Sequence, residues 1–320
     1  MNALPPPMAE WLEMLGSQRR YSVHTLAGYR RDLQLLCKQL GALPLDQVAE
    51  GHIRQAVARL HAAGHQARSL ARMLSAWRGF YDWWAPRIGL SANPAHGVRA
   101  PKAARGLPKA LSVDQTQSLL DRNGLPAPLT AVEWRDQAMF EVLYSSGLRL
   151  AELVSLDHRH TRSHYHESQS WVDLDSGDAI VRGKGGKTRS VPLGRKAIEA
   201  LRHWLQHRPG LERNPPRNES DAAALFLGTR GARISPRVVQ KQLAELALKA
   251  GLPVHVHPHS LRHSFASHLL QSAQDLRAVQ ELLGHANIST TQIYTRLDFQ
   301  HLAQVYDKAH PRAGRKSDTE

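Results

Sequence analysis

The sequence predicts a mainly α-helical protein of two domains, with a small β-sheet or hairpin in the second domain. Three observations support this class: helical spacing of apolar residues through the first hundred residues, a Pro-, Gly- and Ala-rich basic stretch after them, and two short β-prone stretches around a glycine-rich turn later in the chain. With 320 residues, 42% of them hydrophobic and 22% charged, the chain is long enough to bury two ordinary globular cores.

The first domain is predicted to consist of helices. In YSVHTLAGYRRDLQLLCKQLG, Ser22 is placed to cap one helix and Gly41 to end it. HIRQAVARLHAAG predicts a second helix that stops at Gly64, and SLARMLSAWRGFYDWW predicts a third that begins near Ser69 and ends before Pro86. The aromatic residues of the third helix could stack on nucleic-acid bases, but their helical spacing favours a place in the core: Trp77, Phe80, Tyr81 and Trp84.

A basic linker is predicted between the two domains. The stretch SANPAHGVRAPKAARGLPKAL has linker composition and no sustained periodicity, and Ser112 with Gln115 forms a capping-box pattern that starts a new helix. These features predict the following division: a helical domain over 1–95, a linker over 96–108, a second domain over 109–312 and a flexible tail over 313–320.

The second domain mixes helices with a β-hairpin. WRDQAMFEVLYSSG is an amphipathic helix that runs into a glycine, and LRLAELVSL follows it as another. In DAIVRGKGGKTRSVPL, the stretches AIV and SVPL flank a turn rich in glycine and lysine, which predicts the hairpin. Helical patterns resume with RKAIEALRHWLQ, PRVVQKQLAELALKAG, the histidine-rich stretch near 259 and DLRAVQELLG.

Charge and composition indicate a nucleic-acid partner and a reducing compartment. The chain has 42 Lys and Arg against 28 Asp and Glu, a net charge of +14 and a pI near 10.3, which favours a polyanion as partner. Its single cysteine, Cys37, excludes an intramolecular disulfide. The sequence shows neither an apolar run long enough to span a bilayer nor a secretory signal, so we predict a cytoplasmic protein without membrane insertion.

Two arginines of the second domain are suited to bind one phosphate group. Arg149 follows Gly147 at a predicted helix start, where backbone N–H groups favour an anion, and Arg262 follows Pro258 at another. Each guanidinium can donate forked hydrogen bonds to non-bridging oxygens and so match the charge of a phosphoryl-transfer transition state. His259 lies three residues before Arg262, on the same helical face, so both side chains can reach one phosphate.

Three further residues complete a set typical of phosphoryl transfer. Lys184, in RGKGGK, lies on the predicted hairpin turn, where a lysine can clamp a phosphate or protonate a leaving alkoxide. His285 follows the glycine of ELLG, and Tyr294 lies in NISTTQIYT. Each residue alone is more typical of a structural role, so the inference depends on the whole set in this order.

The histidines of HVHPHSLRHSFASH leave a metal site open as an alternative. His259 and His263 are spaced i, i+4, which can place two imidazoles on one helical face for a metal. Arg262 between them is an unsuitable neighbour for a cation, and no carboxylate follows before Asp275. We therefore favour one phosphate-directed histidine, His259, and predict neither a metal nor another cofactor.

The order of these motifs resembles the tyrosine recombinase/integrase family. GLRLAEL is similar to the box of the first catalytic arginine, GKGGKTRSVPL to the hairpin with the catalytic lysine, HPHSLRHSFASHLL to the His-x-x-Arg box, and LLGHANISTTQIYT to the final box. SVHTLAGYRRDL and the linker are similar to the helical core-binding domain and connector of the family. Within the family, the chain most resembles the Xer chromosome-dimer recombinases, and its ending LDFQHLAQVYDKAHPRAGRK favours the branch that pairs with the XerD paralogue.

The resemblance implies a role for each matched residue. Tyr294 would attack the scissile phosphate and form a 3′-phosphotyrosyl bond, and Lys184 would protonate the leaving 5′-oxygen. The transition-state charge would be stabilised by three residues, Arg149, Arg262 and His285. His259 would assist proton transfer at the tyrosine, and Glu152 would orient the site.

The resemblance also implies partners and an architecture. The two domains would form a C-shaped clamp around double-stranded DNA, with a helical core-binding (SAM-like) domain and an α+β catalytic domain. The enzyme would need neither metal nor ATP, and it would resolve chromosome dimers in a heterotetramer with a XerD-like recombinase. A cell-division DNA translocase is a further possible partner.

One segment departs from the family pattern. HRHTRSHYHES, over 158–168, looks like an insertion before the hairpin, about ten residues long by the family's usual spacing. A solvated surface loop is the favoured interpretation, with an extra DNA contact or a weak metal site as alternatives. For the whole chain, the alternatives are a phage or mobile-element integrase, a DNA-binding protein without catalysis, and a metal-dependent nuclease built on the histidines.

Overall fold

Contacts divide the chain into two units, Met1–Leu107 and Pro108–Glu320. The structure is a computed structural model, and it describes residues 4–102, 110–121, 129–183, 186–252, 256–272 and 310–312, with side chains of the helix at 258–272 described to residue 270. The division falls inside the predicted linker. The exact domain boundaries given above stay predictions.

The described residues of the first unit form four α-helices, three of which were predicted. Ser22 caps the second helix by accepting a hydrogen bond from the backbone N–H of Thr25, and Gly41 ends that helix at a φ of +62°, as predicted. The helix before it begins with a proline in its first turn, which supplies a favourable φ for helix initiation. The bounds are α1 Pro6–Ser17, α2 Val23–Leu40, α3 Glu50–Ala62 and α4 Ala67–Trp84.

The aromatic residues of α4 form the core of the first unit. Trp77, Phe80 and Tyr81 are fully buried, and Trp84 stacks on Phe80 with ring centroids 5.5 Å apart. Trp77 donates its indole N–H to a backbone carbonyl of α2, that of Asp32, at 2.9 Å. The core interpretation is therefore confirmed: Trp77, Phe80 and Tyr81 are buried, and Trp84 is partly buried and packs against the same core.

The first residues of the predicted linker pack against this unit. Val98 is buried in its core, and the guanidinium of Arg78 donates to the backbone carbonyls of Ala95 and Val98. A chain segment without regular secondary structure needs such side-chain donors, because its carbonyl groups lack partners of their own. The segment therefore follows the surface of the first unit at least as far as Val98.

The second unit is built around one central helix, whose last nine residues are all buried. This helix ends at Gly147, which adopts the left-handed conformation with φ +58°. The predicted capping box of Ser112 and Gln115 is present at the start of the preceding helix. The helices are α5 Val113–Leu120, α6 Ala131–Ser146 (the central helix), α7 Leu150–Ser155, α8 Arg195–His207, α9 Glu219–Ala223, α10 Pro236–Lys249 and α11 Pro258–Ser272.

Among the described residues of the second unit, four strands form one sheet in the order β1-β2-β3-β4. The predicted hairpin is its antiparallel pair β3–β4, in which Ala179 pairs with Val191 and Val181 with Arg189. Two strands were missed: β1 pairs parallel with β2, and β2 pairs antiparallel with β3. The strands are β1 Leu156–Asp157, β2 Ser170–Asp173, β3 Asp178–Arg182 and β4 Thr188–Pro192.

The histidine-rich segment 158–168 folds back on a buried carboxylate. Asp157, 1% exposed, accepts hydrogen bonds from His166 Nε2 at 2.8 Å, Ser168 Oγ at 2.6 Å and Arg233 Nη2 at 2.5 Å. Burial opposes ionisation of Asp157, but these three donors outweigh it and lower the pKa of the carboxyl group. Tyr165, at the tip of the segment, is 82% exposed, so the segment combines an anchored base with a solvated tip.

We expect the Asp157→Asn variant to lose about 3 kcal/mol of unfolding free energy at pH 7, because it removes one partner of a buried ion pair. The carboxylate stabilises the fold above its unfolded-state pKa and loses this effect as the pH falls through its lower folded-state pKa. The loss in the variant should therefore shrink between pH 7 and pH 3.5 in urea unfolding. The exposed Asp175→Asn variant is the control, and an equal loss at both pH values for Asp157→Asn would contradict the expectation.

The last described residues contact the central helix. His310 is buried against Tyr144, with ring centroids 4.9 Å apart, and Arg312 forms an ion pair with Glu141. Burial lowers the pKa of His310 to about 3, so its imidazole is neutral at physiological pH.

In the part of the chain that the structure describes, no helix is long and apolar enough to cross a lipid bilayer.

Candidate active site

The turn after α6 brings the two predicted arginines together. Gly147 reverses the chain direction in the left-handed conformation, and Arg149 two residues later occupies the N-cap position of α7. From α11, the guanidinium of Arg262 donates a hydrogen bond to the backbone carbonyl of Gly147. The turn at Gly147 therefore both positions Arg149 and binds Arg262.

Glu152 holds Arg149, the more exposed of the two arginines, in place. Its carboxylate accepts from the backbone N–H of Arg149 at 2.8 Å and from Arg149 Nη1 at 3.0 Å, while it remains 5% exposed. Burial opposes ionisation, but hydrogen bonds from Arg189 and Arg149 outweigh it and lower the pKa of Glu152. This geometry supports the role predicted for Glu152, which is to orient the site.

Arg149 and Arg262 line an open cleft of about 500 Å³. Arg149 is 40% exposed there, whereas Arg262 is 7% exposed. Burial, reinforced by the positive charge of Arg149, lowers the pKa of Arg262 to about 10, so it stays cationic at neutral pH. Both guanidiniums line the cleft, so an anion there would meet two positive charges, which suits a phosphodiester. The cleft is lined by Leu148, Arg149, Leu150, Gln240, His257, Pro258, His259 and Arg262.

Hydrogen bonds at both ends of α11 fix the helix that carries Arg262. At its start, His257 Nδ1 accepts from the backbone N–H of Ser260, and Ser260 Oγ accepts from the backbone N–H of His257. Further along, Ser264 Oγ accepts from the backbone N–H of Leu111 at 2.9 Å, and His268 donates from Nε2 to the carbonyl of Leu111 at 2.9 Å. Two histidines without an assigned role thus serve the structure of this helix.

His259 lies on α11 and lines the cleft beside Arg262, and its ring stacks on that of His257 with centroids 6.2 Å apart. His263 is half-buried on the same helix. Within the described residues, no group of three or more His, Cys, Asp or Glu side chains is arranged to hold a metal ion.

The structure therefore brings four of the predicted site residues into one region: Arg149, Glu152, His259 and Arg262. The other predicted site residues lie outside the described residues: Lys184, His285 and Tyr294. The strands β3 and β4, which flank the turn with Lys184 in the sequence, are both present in the sheet.

One residue of the site was missed by the sequence interpretation. Arg189, on β4, donates from Nη1 and Nη2 to the two carboxylate oxygens of Glu152, at 2.9 and 3.0 Å. The signal for it was present in TRSVPL, because Arg189 shares a strand face with the buried Val191. An arginine on the inner face of a sheet needs a buried partner, and here that partner is Glu152.

Both units match known protein families. Residues 109–301 match the phage integrase family, and residues 8–87 match the N-terminal SAM-like domain of phage integrases. The fold, the paired arginines and these matches define the class of protein, a tyrosine-type site-specific DNA recombinase: the chain belongs to the phage integrase family.

Among curated proteins, the chain is similar to XerC recombinases. It is 51% identical to tyrosine recombinase XerC of Ralstonia pickettii over 317 residues, which cover 97% of this chain and 95% of the relative. It is 49% identical to XerC of Salmonella typhi over 316 residues, which cover 98% of each chain. The resemblance to the Xer recombinases, and to their XerC branch, is confirmed.

Solved structures show the same fold at low identity. The Tn1549 transposon integrase in complex with transposon right end DNA has a TM-score of 0.69 at 18% identity, with 93% of this chain and 98% of that chain covered. The XerH recombinase bound to palindromic difH substrate has a TM-score of 0.63 at 20% identity, with 94% and 84% covered. The predicted class, a mainly helical protein of SAM-like and catalytic integrase domains, is confirmed.

Proposed function

We propose that this enzyme cuts and rejoins DNA at a specific site through a covalent bond to Tyr294. The observation that carries the proposal is the hydrogen bond from Arg262 to the carbonyl of Gly147, two residues before Arg149, with both arginines lining one cleft together with His259. Two guanidiniums at such a position can bind both non-bridging oxygens of a phosphodiester and stabilise the additional charge of a pentacoordinate transition state.

The proposed reaction conserves the number of phosphate ester bonds. The Tyr294 hydroxyl oxygen attacks phosphorus, its proton passes to His259, and the bond from phosphorus to the 5′-oxygen breaks as Lys184 protonates the leaving oxygen. His285 adds a donor to the phosphate. The reverse step, with the 5′-hydroxyl of another strand as nucleophile, rejoins the DNA, so the mechanism needs neither an energy-rich cofactor nor a metal.

The biological setting is a further part of the proposal. The relatives near 50% identity are named tyrosine recombinase XerC, which favours resolution of chromosome dimers over the alternative of a phage or mobile-element integrase. We infer that the enzyme acts at cell division in the cytoplasm, in a heterotetramer with a XerD-like recombinase on a double-stranded DNA site. A cell-division DNA translocase is a fitting regulator of that assembly.

The nucleophile can be tested with a nicked suicide substrate, in which a short strand diffuses away after cleavage and traps the covalent adduct. Wild-type enzyme should form an adduct that mass spectrometry locates at Tyr294, and excess chelator should leave the yield unchanged. The Tyr294→Phe variant should bind DNA with unchanged affinity and form no adduct, because its ring lacks the attacking oxygen.

The alternatives predict other outcomes of the same experiment. An adduct on another residue, or one that persists in Tyr294→Phe, would contradict the assignment of the nucleophile. DNA binding without any adduct in the wild-type enzyme would favour a non-catalytic DNA-binding protein. Cleavage that the chelator abolishes would favour a metal-dependent nuclease.

A further inference from the structure

Arg189 contacts the site from the sheet rather than from the helices. It lies on β4, its side chain is 13% exposed, and both terminal nitrogens bind the carboxylate of Glu152. Glu152 in turn lies in α7 and binds Arg149 through both its backbone and its guanidinium. Arg189 thus connects the strand after the predicted lysine turn to the first arginine of the cleft.

Four hydrogen bonds fix the orientation of the Glu152 carboxylate. One oxygen accepts from Arg149 Nη1 at 3.0 Å and Arg189 Nη1 at 2.9 Å, and the other accepts from the Arg149 backbone at 2.8 Å and Arg189 Nη2 at 3.0 Å. Each oxygen therefore has two donors, which matches its two lone pairs. Two parallel N–H···O bonds from one guanidinium restrict rotation of the carboxylate more than a single donor would.

The two arginines differ in what they present to the cleft. Arg149 lines the cleft and is 40% exposed, whereas Arg189 is 13% exposed and absent from the cleft lining. Because the buried Arg189 binds the same carboxylate as Arg149, the negative charge of Glu152 is shared between two guanidiniums. Without Arg189, the carboxylate would attract Arg149 alone and compete with the phosphate for the same guanidinium.

We propose that Arg189 is a positioning residue for strand cleavage: it holds Glu152 so that the guanidinium of Arg149 is directed at the scissile phosphate. The inference rests on the proposed function, because it assumes that Arg149 binds that phosphate. It adds a residue of strand β4 to the arginines that α7 and α11 contribute to the cleft.

The first measurement is the single-turnover rate of adduct formation on the nicked substrate at saturating enzyme. Arg189→Gln should cleave about 100-fold more slowly, since small misplacement of a catalytic group has effects of this order. DNA affinity and its dependence on salt should stay within twofold of wild type, because Arg189 is 13% exposed and does not line the cleft. Arg189→Lys should remain slow, because an ammonium group cannot bind both carboxylate oxygens in a fork.

A second substrate separates a positioning role from a purely structural one. A methylphosphonate at the scissile position lacks one of the two non-bridging oxygens and its charge, so a correctly placed Arg149 matters less. We expect the deficits of Arg149→Ala and Arg189→Gln to shrink together, at least tenfold, on this substrate. The deficit of Lys184→Ala should not shrink, because the leaving 5′-oxygen is unchanged.

Two variants serve as controls for folding and for charge. Arg182→Gln removes an exposed arginine from the same hairpin and should cleave at the wild-type rate. The double variant Glu152→Gln/Arg189→Gln removes both charges of the Arg189–Glu152 pair, so neither is left buried without the other. Its cleavage rate should match that of the slower single variant if Arg189 acts through Glu152.

Three outcomes would overturn the inference. Arg189→Gln could cleave as fast as wild type, its deficit could persist unchanged on the methylphosphonate, or its effect could multiply with that of Glu152→Gln. If Arg149→Ala itself cleaves normally, the proposed function of Arg149 fails, and the inference fails with it. If Arg149→Ala behaves as expected and Arg189→Gln does not, only the inference is wrong.

Discussion

Replacement of Gly147 with alanine should destabilise the second unit by about 3 kcal/mol. The residue has a φ of +58°, a conformation that costs an L-residue with a side chain about 1 kcal/mol. A Cβ atom there would also lie 2.3 Å from Cδ1 of Phe265, a fully buried ring of α11, and such overpacking costs about 2 kcal/mol. Urea unfolding of the full chain, followed by tryptophan fluorescence, measures the loss.

Gly251 provides a matched control in the same unit. Its φ of +64° is nearly that of Gly147, but a Cβ atom there would meet nothing within 4 Å. Gly251→Ala should therefore lose only the conformational part, about 1 kcal/mol. In a Phe265→Ala background, the clash is absent, and Gly147→Ala should cost no more than Gly251→Ala. An undiminished cost in that background would show that Phe265 is not the reason for the glycine.

The Gly147→Ala variant should also lose cleavage activity beyond its loss of stability. The carbonyl of Gly147 accepts from Arg262, and the following turn places Arg149. A shifted backbone would move both guanidiniums at once. Without urea, and at a temperature where the Gly147→Ala variant is fully folded, its adduct formation should remain well below that of Gly251→Ala.

Replacement of Arg312 with alanine should cost about 4 kcal/mol of unfolding free energy at pH 8. Arg312 forms an ion pair with Glu141, which is 2% exposed, and a second one with Asp121. Truncation would leave the Glu141 carboxylate buried without this cation. A buried charge that has lost its partner is far more costly than the removal of both partners together.

The pH dependence of this loss follows from the sign of the Glu141 pKa shift. Burial raises the pKa of Glu141, and Arg312 opposes that rise, so removal of Arg312 raises it further. A carboxyl group with a raised folded-state pKa destabilises the fold where it is ionised, so the cost of Arg312→Ala should be smaller at pH 5 than at pH 8.

The double variant Glu141→Gln/Arg312→Ala controls for the charge, and it should recover most of the stability that Arg312→Ala loses at pH 8. An Arg312→Ala deficit that is independent of pH, or one that Glu141→Gln fails to reduce, would contradict this account.

The helices and their ends could be predicted because their causes are local. Ser22, Gly41 and the capping box at Ser112 act within a few residues of the chain, and the structure has each of them. The strands β1 and β2 could not be predicted in this way. They are two and four residues long, too short for a clear alternation, and long-range pairing holds them.

The site was only partly predictable for the same reason. The residue types of Arg149 and Arg262 indicated a phosphate, and the resemblance to a known family assigned their roles. That Arg262 binds the carbonyl of Gly147 depends on the packing of α11 against α6, which no local pattern encodes. His268 could not be assigned a role from the sequence because its hydrogen-bond partners, Tyr144 and Leu111, are distant in the chain. His257 caps α11 through Ser260, only three residues away, and this local pattern was missed.

The hydrogen bonds of His268 define its tautomer. The same bonds hold α11, the helix that carries Arg262 into the cleft. His268 Nε2 donates to the carbonyl of Leu111, so Nδ1 accepts from the hydroxyl of Tyr144, and the ring remains neutral. Together with the capped start of α11, this fixes the helix along its length before any ligand arrives. DNA binding energy is then not required to order α11, and it remains available to distort the duplex or to align the strands for exchange.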